Sequence, residues 1–105
     1  RANFIMTLGQ LRFDHHTRQA HVGEACLTLP RRELLVLETL LEHRGRTVLR
    51  EALQDRVYGH KDDIQSNALD THVSRLRSKL DKAGAQVEIH AIRGVGYLMC
   101  APQSA

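Results

Sequence analysis

Two segments near the C-terminus constrain the fold more than any other part of the chain. The first, Ser66 to Leu80, reads SNALDTHVSRLRSKL, and the second, Arg93 to Tyr97, reads RGVGY. At roughly 100° per residue, the apolar residues of the first segment fall on one helical stripe. That stripe consists of Leu69, Val73, Leu76 and Leu80. The spacing therefore predicts an amphipathic helix over residues 66–82 that buries this stripe and stops at Gly84.

The opposite face of this predicted helix is polar and mostly small. Its residues are Asn67, Thr71, Ser74 and Ser78, with Arg75 beside them. Small side chains would let the helix backbone approach the floor of a DNA groove, where asparagine suits adenine and arginine suits guanine. We therefore predict base contacts from Asn67, Thr71, Ser74 and Arg75. An ordinary solvated helix face has a similar composition, so the helix alone leaves both interpretations open.

The flanks of the same helix carry charged and ionisable side chains. His72 and Lys79 lie on one flank, and Asp70 and Arg77 lie on the other. Phosphates would run along both flanks of a helix in the major groove, so we predict phosphate contacts from His72, Arg77 and Lys79. Asp70 could instead pair with Arg77 or a neighbouring cation, at ~0–1 kcal/mol for an exposed pair.

The second segment contains two glycines, which permit a tight chain reversal. We predict a hairpin of residues 87–92 and 97–100 that directs Arg93 outward as a wing. A phosphate-cradling loop is the enzymatic alternative, but no helix and no Walker-type lysine follow the glycines. A plain turn with a solvated arginine remains open.

The first part of the chain predicts a small antiparallel sheet. Residues 4–29 read as short strands with turn-like residues between them, and Gly9 and Gly23 interrupt the apolar pattern. His15 and His16 are adjacent, so their side chains point apart, and no acidic residue or cysteine lies at ligand spacing in the sequence. We therefore expect no metal site and no cofactor.

Two further helices are predicted before the amphipathic one. The first covers residues 30–43, with Glu33 near its start and His43 and Arg44 in its last turn, an arrangement that suits the helix dipole. Gly45 is predicted to end it in a left-handed conformation. The second covers residues 50–58, and a polar loop over residues 59–65 follows it.

Composition sets broad limits. The chain has 105 residues, enough for one domain with its own core. Aromatic residues make up only 4% and tryptophan is absent, so the core must be aliphatic. The formal net charge is +3 and the pI is about 9.2, which fits nucleic-acid binding but is weak evidence by itself.

The chain's two cysteines and its hydropathy indicate its compartment. Cys26 and Cys100 lie far apart and form no C-x-x-C motif, so we expect free thiols in a reducing cytosol. No apolar run approaches ~20 residues, and the first residues lack the apolar region of a signal peptide. These features predict a soluble, cytoplasmic protein.

Together, these residues resemble the OmpR/PhoB family, the C-terminal effector domains of two-component response regulators. The family's helix signature, approximately (S/R)-(N/T)-x-(V/L)-D-V-H-I-x-x-L-R-x-K-L, matches Ser66 to Leu80 with Thr71 in place of the usual valine. The closing motif R-G-x-G-Y matches Arg93 to Tyr97 without a gap. The resemblance implies an α+β winged helix-turn-helix in one domain, residues 1–105. Its parts are an N-terminal antiparallel sheet (1–29), three helices (30–83), a C-terminal β-hairpin wing (86–101) and a tail (102–105).

The resemblance also implies a function, transcription regulation through double-stranded promoter DNA, and roles for single residues. Arg75 sits where the family reads bases, and Arg93 sits where the wing enters the minor groove. Phosphate-holding positions are matched by His72, Arg77 and Tyr97, and we add Arg50 at the start of the second helix. The loop that contacts RNA polymerase in some members corresponds to residues 59–65, with His60, Lys61, Asp62 and Asp63. Family members bind direct repeats, usually as dimers, and a receiver domain, which this sequence does not contain, normally controls them.

The sequence departs from the family pattern at several positions. Leu49 stands where an N-capping serine is common, and loss of such a cap costs ~0.5–2 kcal/mol. Asn67 and Ser74 replace arginines of some members, which predicts fewer phosphate contacts and weaker non-specific binding.

Two rival functions stay under consideration. A winged helix can serve as a protein-interaction module without DNA. Acidic residues on the polar face of the helix over residues 66–82 would have supported that hypothesis better than the residues present. An enzyme has the least support, because no nucleophile–base pair or carboxylate pair can be assigned to one pocket from the sequence.

Overall fold

The computed structural model describes residues 5–59 and 66–102, apart from the side chains of Ser66 and Asn67. Its strands are β1 (Ile5–Leu8), β2 (Leu11–Asp14), β3 (Gln19–Val22), β4 (Ala25–Leu27), β5 (Thr47–Leu49), β6 (Glu88–Ile92) and β7 (Gly96–Cys100). Its helices are α1 (Arg31–Glu42), α2 (Arg50–Tyr58) and α3 (Ser66–Ala83). This order confirms the predicted α+β class, with an N-terminal antiparallel sheet, three helices in the described ranges and a C-terminal hairpin.

The N-terminal sheet has the order β1-β2-β3-β4, and all neighbours are antiparallel. Leu11 and Phe13 are fully buried while Arg12 between them is exposed, which is the alternation of a sheet with one face on the core. Gly9 turns β1 into β2 with a φ of 58°. A Cβ at Gly9 would lie 2.3 Å from the carbonyl oxygen of Gln86, so this turn abuts the chain that leaves α3.

Helix α1 is slightly shorter than predicted. It begins after Pro30, which is the N-cap and not the first helical residue, and it ends at Glu42. His43 is the C-cap, so the prediction that His43 and Arg44 lie in the last turn is wrong. Gly45 has the predicted left-handed conformation, with a φ of 80°, but it lies two residues beyond the C-cap, and its N–H donates to the carbonyl of Met99.

The C-terminal sheet has the order β5-β7-β6 and carries the wing. The wing strands are shifted by one residue from the prediction: β6 begins at Glu88, and β7 begins at Gly96 because this residue pairs with both Ile92 and Leu49. A Cβ at Gly96 would lie 1.9 Å from the carbonyl oxygen of Val48. The three strands can therefore meet at this point only if the residue has no side chain.

Helix α3 buries the stripe that its sequence pattern predicts. Leu69 and Leu76 are 0% exposed, and Val73 and Leu80 are 2% exposed. They join one hydrophobic cluster that also contains residues of the N-terminal sheet, α1, α2 and the C-terminal sheet. Among the described helices, none is long and apolar enough to cross a membrane.

Replacing Gly96 by alanine should destabilise the fold by about 3 kcal/mol, because the new methyl group would force β5 away from β7. Gly94→Ala is the control, since Gly94 has a φ of 74° but open space around it, and it should cost only about 1 kcal/mol. Urea denaturation of both variants measures the difference. An equal loss of stability in the two variants would show that the close approach of Val48 to Gly96 does not determine the cost of the substitution.

Candidate nucleic-acid interface

The outer face of α3 is open to solvent along most of its described length. Thr71, Ser74 and Arg75 are exposed, and so is Ser78 one turn further on. They lie opposite the buried stripe, as the helical period requires. The side chain of Asn67 lies outside the described residues. The structure thus presents three of the four residues of α3 that were predicted to contact bases on one exposed surface.

The tip of the wing lies beside the start of α2. Arg93, Gly94 and Val95 are exposed, and the N–H of Val95 donates to Ile92 at 2.9 Å to close the turn. The backbone N–H of Arg50 donates to the carbonyl of Val95 at 3.0 Å. A cleft of about 250 Å³ lies between α2 and the wing, lined by Arg50, Tyr97 and residues 91–96. Hydrogen bonding to α2 therefore fixes the position of the tip that carries Arg93.

A polar junction connects α2, α3 and the wing. The guanidinium of Arg50 donates to a carboxylate oxygen of Asp70 at 2.9 Å, and the hydroxyl of Tyr97 donates to the same oxygen. Asp70 thus pairs with a neighbouring cation, Arg50, and not with Arg77. The sequence places these three residues far apart, and the fold brings two predicted phosphate contacts, Arg50 and Tyr97, onto one carboxylate.

The junction changes the acidity of its members. The hydrogen bonds from Arg50 and then Tyr97 lower the pKa of Asp70 below its ordinary value. The hydrogen bond to Asp70 raises the pKa of Arg50, and burial followed by the bond to Asp70 raises the pKa of Tyr97. All three groups therefore keep the protonation states that the junction requires near neutral pH.

His72 lies in a half-buried position at the edge of the outer face. Its ring centroid is 6.0 Å from that of Tyr58. The guanidinium of Arg32 lies over the Tyr58 ring, 4.6 Å from the ring centroid. Burial, and next the charge of Arg32, lower the pKa of His72, so its ring is neutral near pH 7. The phosphate contact predicted for His72 would thus begin from an uncharged imidazole.

The two remaining predicted phosphate contacts also have partners within the protein. A guanidinium nitrogen of Arg77 donates to the carbonyl of Ile89 in β6. The ammonium of Lys79 donates to Glu33 at 2.7 Å, and Glu33 is only 2% exposed. Each side chain therefore attaches α3 to another element and has further N–H groups with which to meet a phosphate.

Sequence reasoning missed the buried acids of α1. The sequence pattern relates Glu33 only to the helix dipole, and its separation of 46 residues from Lys79 leaves no local signal of the pair. Glu38, which is 4% exposed, accepts from Arg18 at 2.6 Å and lies 3.0 Å from His15. An acid on the apolar side of an amphipathic helix is the signal that could have marked Glu38, since a buried carboxylate needs a cation or donor.

The predicted RNA polymerase loop cannot be placed. His60, Lys61, Asp62 and Asp63 all lie outside the described residues. The contact predicted for them stays a prediction.

An exposed polar helix face and a hairpin with an exposed arginine at its tip, packed with the helices α1 and α2, are typical of winged-helix DNA-binding domains. Residues 23–99 match the family described as "Transcriptional regulatory protein, C terminal", and the chain belongs to this family. This confirms the resemblance to the OmpR/PhoB-type effector domains of response regulators. The family is a DNA-binding regulator domain and not an enzyme, which also confirms that prediction.

Individual proteins show the same relationship. The chain is 41% identical over 95 residues to a probable transcriptional regulatory protein, y4xI, of Sinorhizobium fredii, covering 90% of this chain and 42% of y4xI. It is 39% identical over 89 residues to the response regulator protein PmrA of Pseudomonas aeruginosa, covering 85% of this chain and 38% of PmrA. The chain thus spans about two-fifths of the length of these curated relatives.

A solved structure supports the fold. The DNA-binding domain of Klebsiella pneumoniae RstA, crystallised in complex with the RstA box, is 29% identical to this chain, with a TM-score of 0.79. The match covers 93% of this chain and 98% of that domain.

Replacing Lys79 by alanine should lower the free energy of unfolding by about 1–3 kcal/mol, because it leaves the buried carboxylate of Glu33 without this donor. Lys82→Ala, an exposed substitution on the same helix, is the control and should stay within about 0.5 kcal/mol of the parent. Chemical denaturation measures both. Equal stability of the two variants would show that the Lys79–Glu33 pair does not stabilise the fold.

Proposed function

We propose that this domain regulates transcription by binding a specific sequence of double-stranded promoter DNA, with α3 in the major groove and the wing on the neighbouring minor groove or backbone. The observation that carries the proposal is the hydrogen-bonded connection between two elements that each expose an arginine. The outer face of α3 presents Arg75, the wing tip presents Arg93, and the Arg50–Asp70–Tyr97 junction connects the two elements.

Base contacts in this proposal come from the exposed face and the wing. Arg75 has the length and the fork of donors that suit guanine, and Thr71 and Ser74 are small enough to let the helix enter the groove. Asn67 completes the set on α3. Arg93 would reach the minor groove, where the negative potential favours arginine.

Phosphate contacts in this proposal lie on both sides of that face. Arg50 and Tyr97 border the cleft beside the wing, His72 borders the other side, and Arg77 and Lys79 follow along α3. A phosphate would be a further partner for Arg50, Tyr97, Arg77 and Lys79, since each of these already forms a hydrogen bond within the protein. Such contacts fix the register of the helix without reading sequence.

The whole protein, by likeness to its relatives, would be a response regulator of a two-component system. A receiver domain would control the effector domain described here, and two copies would bind direct repeats as a dimer. Residues 59–65 would contact RNA polymerase. Promoter binding would place the site of action in the cytoplasm.

Selection from a randomised duplex pool, followed by fluorescence anisotropy at two salt concentrations, tests the proposal. Enrichment of a direct repeat with salt-dependent affinity is the expected result. Binding that is equally weak for all duplexes would contradict sequence specificity in the isolated domain. A failure to bind at low salt would contradict DNA binding itself and favour the protein-interaction module.

Replacing Arg75 by alanine should weaken binding to the selected duplex by ~1–3 kcal/mol and relax the preference at one base-pair position. The control is Arg12→Ala, an exposed arginine of the N-terminal sheet, which should bind like the parent. Anisotropy titrations against the selected duplex and its single-base variants measure both effects. Unchanged affinity and preference in Arg75→Ala would contradict the placement of α3 in the groove.

His72 should link DNA binding to proton uptake. Its pKa is lowered in the free domain, and a nearby phosphate would raise it again, so DNA affinity should strengthen as the pH falls from about 7.5 to about 5.5. A half-unit rise in pKa corresponds to about threefold in affinity. His72→Gln should lose this part of the pH dependence.

The control for His72 is His21→Gln, which changes a histidine of β3 and should keep the parental pH dependence. Because the lowered pKa makes the unfolded chain bind more protons below about pH 6.5, the fold itself loses stability on that side. Circular dichroism at each pH confirms that the titrated protein is folded. Identical pH profiles for His72→Gln and the parent would contradict a phosphate contact by His72.

A further inference from the structure

We propose that the outer face of the C-terminal sheet contains a zinc-binding site formed by Glu88, His90 and Cys100. One ligand atom from each of these residues lies within 4.8 Å of the other two. The proposal rests on the sheet and these three side chains, and it is independent of DNA binding.

Strand pairing accounts for the convergence. Glu88 and Cys100 are direct cross-strand partners in the antiparallel β6–β7 pair, and His90 lies two residues along β6. Because side chains alternate along a strand, all three belong to the face opposite Ile89 and Met99, which are buried. Directly opposed Cβ atoms lie about 4.5–5.5 Å apart, so the strand register itself holds a carboxylate and a thiol close together.

The donor set suits zinc. A thiolate, an imidazole and a carboxylate are the three side-chain types that bind Zn²⁺, and three protein ligands leave a fourth tetrahedral position for water. Magnesium and calcium prefer oxygen ligands alone, so the thiol and imidazole disfavour them. A nitrogen of His90 already lies 2.9 Å from an oxygen of Glu88, and both side chains are about half exposed, which leaves them free to turn toward an ion.

A second group, His15, Glu38 and Glu42, has the same spacing but different surroundings. Arg18 lies 2.6 Å from Glu38, and Arg56 lies 3.1 Å from Glu42. These guanidinium groups already balance the two carboxylates and would oppose a divalent cation there. Glu88, by contrast, contacts His90, whose imidazole is itself a side-chain type that binds metal.

A bound ion would connect β6 to β7 at the open end of the hairpin, away from the tip that carries Arg93. Binding to the folded chain would raise the midpoint of thermal unfolding.

The test uses the reduced, metal-free chain and titrates it with Co²⁺ and then with Zn²⁺. A cysteine ligand gives Co²⁺ a thiolate charge-transfer absorption that Zn²⁺ abolishes on displacing it. The expected result is one ion per chain, and a Kd for Zn²⁺ that rises by on the order of 100-fold or more in Cys100→Ser and His90→Gln. Glu88→Gln should raise it about 10-fold, since even the loss of an outer-shell partner costs ~10–100-fold.

Matched controls separate this site from the rest of the molecule. Cys26→Ser removes the other, exposed cysteine, and His15→Gln removes the histidine of the second group, and both should bind metal like the parent. Thermal melts without metal confirm that each variant folds. Loss of the absorption in Cys26→Ser, unchanged affinity in Cys100→Ser or His90→Gln, or no binding at all would overturn the proposal.

Discussion

The arrangement of the molecule depends on the burial of one side of α3. Leu69, Val73, Leu76 and Leu80 are all at most 2% exposed. Each buried side chain of this kind contributes about 1.5–3 kcal/mol relative to an exposed one, so rotation of the helix about its axis would cost more than any single polar contact can return. With that rotation fixed, Arg75 must face solvent, and the polar surface of the helix follows from the packing of its apolar side.

Polar contacts then set what hydrophobic burial leaves undetermined, namely the position of the helix along its axis and the position of the wing. Asp70 holds the first turns of α3 to α2 and the wing, Arg77 holds the middle to β6, and Lys79 holds the last turns to α1. These contacts are directional, whereas apolar packing is not. The same stretch of helix therefore supplies both the candidate DNA surface and the attachments that aim it.

Local patterns in the sequence predicted the helices and strands, but they did not predict contacts between residues distant in sequence. The helical period alone placed α3 over residues 66–82, against Ser66–Ala83 observed, and two glycines placed the wing to within one residue. The pair between Lys79 and Glu33 could not be predicted, because its members are on different helices and each has an ordinary surface composition around it. The order β5-β7-β6 could not be predicted either. It depends on the close approach of Val48 to Gly96, and the sequence shows the glycine but not the residue that approaches it.

The candidate site likewise has features that the sequence predicted and features that it did not. Exposure of Thr71, Ser74 and Arg75 followed from the period, while the engagement of Arg50, Arg77 and Lys79 inside the protein did not. Residue type shows which side chains are cations but not which of them already have an anion nearby, because that depends on tertiary contacts.

The carboxylate of Asp70 has a consequence for the energetics of any anion that approaches the junction. Arg50 is already paired with Asp70, so a phosphate that approaches Arg50 would share or replace that partner. A cation without an internal partner would instead release a condensed counterion from the nucleic acid, and the full free energy of that release would favour binding. The number of ions released on association would then be smaller than the number of basic side chains at the surface. Asp70 would thus lower the attraction of the domain to anionic polymers in general. Discrimination between DNA sequences would be left to the side chains that face the bases.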